Sequence, residues 1–465
     1  SAATYPPTYG CRLQRPGCSL PETSDSIPPP NLSHLLGTAP QPPSQPIGIS
    51  RVCRSSTNRL RARDYIKKAK YMDFKFTDEQ EAFRQEIRDF LKENLGDEWR
   101  GIDPDSYFHD ENWPHIRELT SKLVDKGWLT LAWPEEYGGQ ARPHIEQMIY
   151  SEEMAYFRAP TRDASMGTDL VGPTVMIFGT DEQKTEYLPR IADGTAVYCQ
   201  GFSEPESGSD LASLQLRAVE DGDDYILNGS KIWTSGAHRA SHFYLMARTD
   251  PDAPKHRGIS VFILDMDTPG IEIRPIVNMF DVHYFNQVFF ENVRVPKRNM
   301  IGEKNRGWYV AATTLDFERS GVARYASNQR ALEELAELAR ETQVNGRPLV
   351  EDPVIRNKIA KLYVANETGR SIAYNVGWMQ SQGLVPNREA SVSKMMGSEI
   401  SQKIRELGMR IAGLYGTLDK GSKWAYFDGR LGLEWMDSIS LTIRGGTSEI
   451  QRNIIATRGL GLPRG

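Results

Sequence analysis

Residues 197–236 read VYCQGFSEPESGSDLASLQLRAVEDGDDYILNGSKIWTSG. Two segments stand out, Gly201-Phe-Ser-Glu-Pro-Glu-Ser-Gly-Ser-Asp210 and Lys231-Ile-Trp-Thr-Ser-Gly236. The first is a loop of small and hydroxyl residues interrupted by Pro205 and Gly208, which lets backbone N–H groups come close to a polar ligand. The second follows a predicted hairpin, with Asp221-Gly222 and Asn228-Gly229 as turn signals. It ends in an aromatic and two hydroxyls, a flat apolar face beside hydrogen-bond donors that suits a planar heterocycle.

Around this centre the texture of the chain changes twice. Upstream, Thr77 to Leu95 reads as a helix, with Thr77 and Gln80 as a capping box and Phe83, Ile87, Phe90 and Leu91 on one face. Further helices are predicted over 113–126, 144–157, 168–179 and 181–192. Short runs at 197–202, 212–219, 224–233, 242–249, 258–265, 271–277 and 285–294 are rich in β-branched and aromatic residues and punctuated by Asp, Gly and Pro, as in an antiparallel sheet. From about 306 the helical period returns, with Leu332, Leu335, Leu338 and Ala339 on one face and further helices over 352–382, 387–414 and 433–459. Four long helices predict a bundle. The fold class is α+β, with a helical domain at 72–195, a β domain at 196–305 and a helical bundle at 306–465.

Residues 1–71 differ from the rest. They hold proline clusters (PPP at 28–30, PQPPSQP at 40–46) and little periodicity, a composition that builds no packed core. The arginine-rich stretch 51–63 can be read as a transit peptide. The preferred expectation is an extension ahead of a start at Met72.

Composition excludes several classes. The 465 residues carry 56 basic and 61 acidic side chains, a net charge of −5. That balance offers no electrostatic case for nucleic acid or a membrane surface. No run approaches 18 apolar residues. Of four cysteines only Cys199 lies outside the first 71 residues, so the body has no internal disulfide and a cytoplasmic location is expected. The eight histidines are scattered without HExxH or CxxC, so no metal site is expected.

The two segments resemble the flavin-binding signature of the acyl-CoA dehydrogenase family, where the loop reads like TEPxAGSD and the strand like KxWITNG. Here Ser203 replaces threonine, Glu206-Ser207 replaces Gly-Ala, and Thr234-Ser235 replaces Ile-Thr. The resemblance runs from about Met72 to the C-terminus, and includes Trp133-Pro-Glu-Glu-Tyr-Gly-Gly139. It implies an N-terminal helical domain, a middle β domain and a C-terminal four-helix bundle. It also implies FAD as cofactor and α,β-dehydrogenation of an acyl-CoA thioester: a base takes the Cα proton, the flavin N5 takes the hydride from Cβ, and the product is the trans-2-enoyl-CoA.

Many members of the family carry the base in a YEGT-like motif near the C-terminus. This chain has Ile443-Arg-Gly-Gly-Thr-Ser-Glu449 there, with Gly445 at the base's position. Isovaleryl- and long-chain-type members place the Glu on the first bundle helix instead, and the matching stretch Leu315-Asp-Phe-Glu-Arg-Ser320 puts Glu318 at that site. The resemblance therefore implies Glu318 as base, with Gly445 leaving room for it and a backbone N–H at this turn polarising the thioester oxygen. By position, Phe202, Ser203, Ser209, Trp233, Thr234, Ser235, Thr447 and Glu449 match cofactor contacts. Ser209, Asp316, Arg319 and Gly446 match substrate contacts, Arg319 near the CoA nucleotide.

Two departures bear on assembly. An RxxFG-like motif whose Arg reaches a neighbouring subunit's FAD pyrophosphate is replaced by Arg340-Glu-Thr-Gln-Val-Asn-Gly-Arg347. A QxxGGxGF-like segment with a similar role is replaced by Arg410-Ile-Ala-Gly-Leu-Tyr-Gly-Thr417. The expected partners are an acyl-CoA, electron-transferring flavoprotein as acceptor, and either further copies in a homotetramer or a second family member in an α₂β₂ heterotetramer. In a homotetramer Arg347, Lys420 or Lys423 would have to serve as phosphate donors. Two rival functions are a flavin monooxygenase or oxidase on the same fold, and a non-catalytic partner subunit of a heteromeric dehydrogenase.

Overall fold

The computed structural model describes residues 75–95, 112–315 and 321–463. The expectations for residues 1–71, and those for Asp316, Glu318 and Arg319, lie outside the described residues.

The first described elements are helical: α1 (Asp78–Asn94), α2 (Trp113–Asp125), α3 (His144–Tyr156), α4 (Arg162–Ser165), α5 (Gly172–Phe178) and α6 (Asp181–Ala192). Both reciprocal bonds of the Thr77–Gln80 capping box form at the start of α1. They satisfy two amides that the helix itself cannot pair. Phe83, Ile87 and Leu91 are buried against Ile116, Leu119 and Leu123 of α2 and Ile149 of α3. Instead of one helix over 168–179, the chain forms α4, a π-helical turn over Met166–Val171 and α5. Gly172 lies against Trp133 there: a Cβ on it would come within 2.0 Å of the indole.

The sheet comprises β1 (Tyr198–Gly201), β2 (Arg217–Asp221), β3 (Asp224–Lys231), β4 (His242–Arg248), β5 (Ile259–Asp265), β6 (Ile271–Val277), β7 (His283–Pro296) and β8 (Met300–Ile301). Its order is β6-β7-β3-β2-β4-β5-β8, with β1 beside β4. Most pairs are antiparallel as expected, but β1 and β2 each run parallel to β4. Strand β4 and the first six residues of β5 are buried, because both faces of the sheet are covered. Phe243 and Leu245 pack toward Val288 and Phe290, while Tyr244 and Met246 pack toward Val175, Leu188 and Val310.

The two turn signals behave differently. Gly222-Asp223 closes the β2–β3 hairpin between the paired Asp221 and Asp224. Asn228-Gly229 makes no turn. It runs on within β3 opposite a bulge in β7, where Asn228 faces both Glu291 and Asn292, the register shifts and Gly229 sits at φ +141°. Asn228 accepts from the Asn292 amide across that bulge. The run 212–219 contributes only its last residues to β2, since Leu211–Ser213 forms a 3₁₀ turn.

The last part holds α7 (Gly307–Leu315), α8 (Val322–Glu341), α9 (Pro353–Ser381), α10 (Asn387–Ala412), α11 (Arg430–Leu441) and α12 (Ser448–Ile454). Leu332, Leu335, Leu338 and Ala339 of α8 face the bundle core as expected. Facing them, α10 buries Ser391, Ser393, Gly397, Ser398, Ser401 and Gly408, so the helices approach closely. The helix predicted over 433–459 is two helices, because Gly445 and Gly446 take φ +66° and +84° between them. Residues 340–347, with no strand expected, carry a two-residue hairpin in which Val344 pairs with Arg347 around Asn345-Gly346. Both turn residues have positive φ, as a type I′ turn demands.

Candidate functional site

The loop 201–210 and the strand 231–236 are tied together by a buried ion pair. Lys231 is fully buried, and its ammonium donates to a Glu204 carboxylate oxygen at 2.7 Å and to the Phe202 carbonyl at 3.1 Å. Glu204 also accepts from the amides of Gln215 at 2.5 Å and Leu216 at 2.9 Å. Burial pushes the Lys231 ammonium down to about 8, against the opposing pull of Glu204. The Ile232 amide donates to the Ser203 carbonyl at 2.9 Å. The Glu and Lys of the two motifs are thus the clamp that sets one motif beside the other. Sequence reasoning assigned neither residue a role, although a charged residue inside each motif was the available signal.

Beyond Lys231 the strand changes character. Trp233 takes the left-handed conformation, φ +59°, and its side chain is turned outward, 56% exposed. A non-glycine residue in that region stores strain, which recurs at ligand sites. Phe285 supports the indole edge-on, with ring centroids 5.9 Å apart. Thr234 is fully buried and its hydroxyl has no hydrogen-bond partner among the described residues. A buried hydroxyl rarely stays unpaired in a finished structure. Ser203 and Ser235 are half-buried beside them, and Ser209 is exposed further along the loop. An exposed aromatic face, an unpaired threonine hydroxyl and flanking serines fit a planar, hydrogen-bonding cofactor such as a flavin. Phe202 differs from the expectation. Its ring is buried against Tyr244, at 5.6 Å between centroids, so only its backbone is available to a ligand.

A second group lies on the bundle. The turn 442–447 is held by α10: Lys394 donates to the carbonyls of Leu441 at 3.2 Å and Gly446 at 2.7 Å. Gln402 donates to the Ser438 carbonyl at 3.0 Å and to the Thr442 hydroxyl at 3.0 Å. Burial, with Arg324 and Arg444 nearby, lowers the Lys394 ammonium to about 8. Gly445 and Gly446 are exposed, and a Cβ at Gly445 would meet no described atom within 4 Å. Thr447 caps α12 by accepting from the Ile450 amide at 3.2 Å. Glu449 sits exposed in the first turn, held below the usual carboxylate range by its own amide and the Thr447 hydroxyl. Capping accounts for Thr447 without a ligand, so its hydroxyl is partly committed. Residue Gly321, three positions after Glu318, abuts α10: its Cβ would lie 3.2 Å from the Ser393 hydroxyl. The turn at Gly446 and the chain at Gly321 therefore meet neighbouring residues of one helix.

Helices, a largely antiparallel sheet, and helices again, with a clamped loop-and-strand pair carrying an outward aromatic, make this a three-part α+β protein. Comparison with known proteins gives the family. The acyl-CoA dehydrogenase N-terminal domain matches residues 77–195, the middle domain 199–293 and the C-terminal domain 305–460. The acyl-CoA dehydrogenase IpdE1 of Mycobacterium tuberculosis is 36% identical over 394 residues, covering 83% of this chain and 98% of its own. Among solved structures, the Tcur3481-Tcur3483 steroid ACAD is 34% identical with a TM-score of 0.78, covering 85% of this chain and all of that one. The ChsE4-ChsE5 complex from M. tuberculosis is 36% identical with a TM-score of 0.76 and the same coverage. The chain belongs to the acyl-CoA dehydrogenase family, an oxidoreductase family of flavoproteins. Among the described residues no helix is long and apolar enough to cross a membrane. Nor does any group of three or more His, Cys, Asp or Glu among them suit a metal ion.

Proposed function

We propose that this chain dehydrogenates an acyl-CoA thioester between Cα and Cβ, with FAD on the Trp233 face and Glu318 as the base. The observation that carries the reading is the outward, left-handed Trp233 beside the unpaired Thr234 hydroxyl, clamped to the loop 201–210 by Lys231 and Glu204. Trp233, Thr234, Ser235 and Ser203 would hold the cofactor's ring, and Thr447 and Glu449 would contact it from the bundle. FAD, when bound, supplies the two-electron acceptor.

The chain's own task is to remove a weakly acidic proton at neutral pH. A thioester α-proton leaves more readily when the carbonyl oxygen receives hydrogen bonds as charge builds on it. The turn at Gly445-Gly446 is suited to that, because its backbone is exposed and anchored by Lys394. Glu318 receives the Cα proton. Gly321, three positions on, abuts Ser393 of α10, and the neighbouring Lys394 anchors the Gly446 turn, which supports the reading of Glu318 as the base. Asp316 and Arg319 would flank the acyl-CoA, with Ser209 and Gly446 as further contacts.

The relatives support a reading of substrate and assembly. Two similar solved structures are a steroid ACAD and a two-chain complex. We infer a bulky acyl group of steroid size, and a heteromeric assembly in which a second family member supplies the phosphate contacts missing at 340–347 and 410–417. Leu414, Tyr415 and Trp424 are exposed around the second of these segments, an apolar surface of the kind that a partner covers. Electron-transferring flavoprotein is the proposed acceptor. The test is to purify the chain alone and with a candidate partner, measure flavin stoichiometry and mass, and assay a panel of acyl-CoAs for dye reduction and 2-enoyl-CoA. A colourless protein that FAD cannot reconstitute in either form would sink the reading. One FAD per subunit in a stable homotetramer would remove the heteromeric part alone.

A further inference from the structure

The bulge that turns Trp233 outward is held on its β7 side by Asn286. Lys231 pairs with Val288 in the regular β3–β7 ladder, and the next contact is the Thr234 amide donating to the Asn286 carbonyl at 3.0 Å. Ile232 and Trp233 thus oppose the single residue Gln287, a one-residue bulge with the left-handed residue in it. A bulge leaves backbone groups without ladder partners. Here the Asn286 side chain meets one: its amide nitrogen donates to the Thr234 carbonyl at 3.0 Å. Two residues further, the Gly236 amide donates to the Tyr284 carbonyl at 3.0 Å.

Asn286 is itself fixed. It is fully buried. The Thr234 carbonyl can only accept, so the amide nitrogen must face it. That orientation aims the amide oxygen at His283 Nε2, 2.8 Å away, which must carry a proton to donate. The second amide hydrogen points to His238 Nδ1 at 3.2 Å, which then accepts. The two imidazoles stack with centroids 4.1 Å apart and planes 29° apart.

We propose that Asn286, oriented by His283 and His238, is a positioning residue that holds Trp233 in its left-handed conformation and so sets the indole against the cofactor. This rests on the reading of Trp233 as the flavin face. A tryptophan resists positive φ because of its Cβ, whereas glycine adopts it freely. The bracket therefore has work to do only while residue 233 is not glycine.

The test is a double-mutant cycle on the full chain, with any required partner present: native, Asn286→Ala, Trp233→Gly and the double variant. Asn286→Ala lowers the melting temperature at least twice as far in the native background as in Trp233→Gly. Equal losses in both backgrounds mean that Asn286 is merely a buried polar residue, and overturn the proposal. Should Asn286→Ala not fold, His283→Phe, which removes the bond orienting the amide, is read in the same cycle. FAD titration into the apoprotein separates the two levels. Asn286→Ala weakens FAD binding about tenfold, as loss of a hydrogen bond and of a preset conformation implies. Unchanged FAD affinity in Asn286→Ala overturns the positioning role. Unchanged affinity in Trp233→Gly overturns the flavin reading on which it rests.

Discussion

Replacing Lys231 with methionine should open the site loop without unfolding the sheet. The substitution keeps the length of the side chain and removes its charge. It deletes the bonds to Glu204 and the Phe202 carbonyl and leaves a carboxylate, 7% exposed, whose hydrogen bonds from described residues are those of the Gln215 and Leu216 amides, with Arg248 still exerting a Coulombic pull. Breaking a buried pair from one side costs about 3–5 kcal/mol, because the remaining charge has lost its ion-pair partner. The least costly relief is local: the loop 201–216 lifts and Glu204 regains water. If so, the Gln215 and Leu216 amides lose protection by that free energy, roughly two to three and a half powers of ten in hydrogen-exchange rate at about 1.4 kcal/mol per tenfold. Hydrogen exchange with mass spectrometry on peptides spanning 211–217 reads this directly, with β4 and β5 as internal controls. The companion Lys231→Met/Glu204→Gln chain removes both charges, so it should exchange more slowly than Lys231→Met alone. Unchanged exchange at 215–216 in Lys231→Met, or a double variant worse than the sum of the singles, would refute the clamp.

Glu318→Gln should leave flavin bound and slow its reduction by acyl-CoA at least about 10²-fold, the scale of a general base; near-normal reduction in stopped flow rules Glu318 out. Gly445→Glu, which places a carboxylate at the commoner site, should recover little activity in that background, because residue 445 sits at φ +66° where a side chain is strained. Glu334 gives a pH signature. Burial raises its carboxyl, but Arg158, Arg430 and Arg330 override this and hold it at about 2 against an ordinary 4.5. The depressed pKa contributes about 3 kcal/mol of stability above pH 4.5, lost as pH falls toward 2. The melting-temperature gap between native and Glu334→Gln should therefore be widest near neutrality and close across that window; a gap independent of pH contradicts the ion-pair account. Gly369→Ala should destabilise the bundle by about 1–3 kcal/mol, since its Cβ would come within 2.2 Å of the buried Tyr325 ring. An unchanged urea midpoint would show that α8 and α9 can move apart.

What local sequence determined is what local physics controls. The α1 capping box, the leucine face of α8 and the Asp221-Gly222 hairpin turn each depend on residues three or four apart, or on the φ that glycine permits, and all three formed as expected. The helix–sheet–helix order was legible for the same reason, since periodicity is written within each segment. The two motifs were legible as composition, a hydroxyl loop and an aromatic ending. Their junction was not. Lys231 lies 27 residues from Glu204, and only the fold buries both where neither can be satisfied alone.

The misread stretches share one cause. Asn228-Gly229 carries a turn signal, but β7 lies alongside, bulges there and holds Asn228 in the strand through the Asn292 amide. The run 433–459 has helical composition throughout, yet Lys394 and Gln402 of α10 hold a break there that two glycines make affordable. Phe202 fell within a ligand motif, and its ring was drawn into the core against Tyr244. Trp233 shows the division most plainly. Its identity marks it as a flat apolar surface, and nothing in its neighbours predicts φ +59° or its outward face. Those are set by Asn286, 53 positions away, because a strained backbone persists only where residues distant in sequence pair with it on both sides.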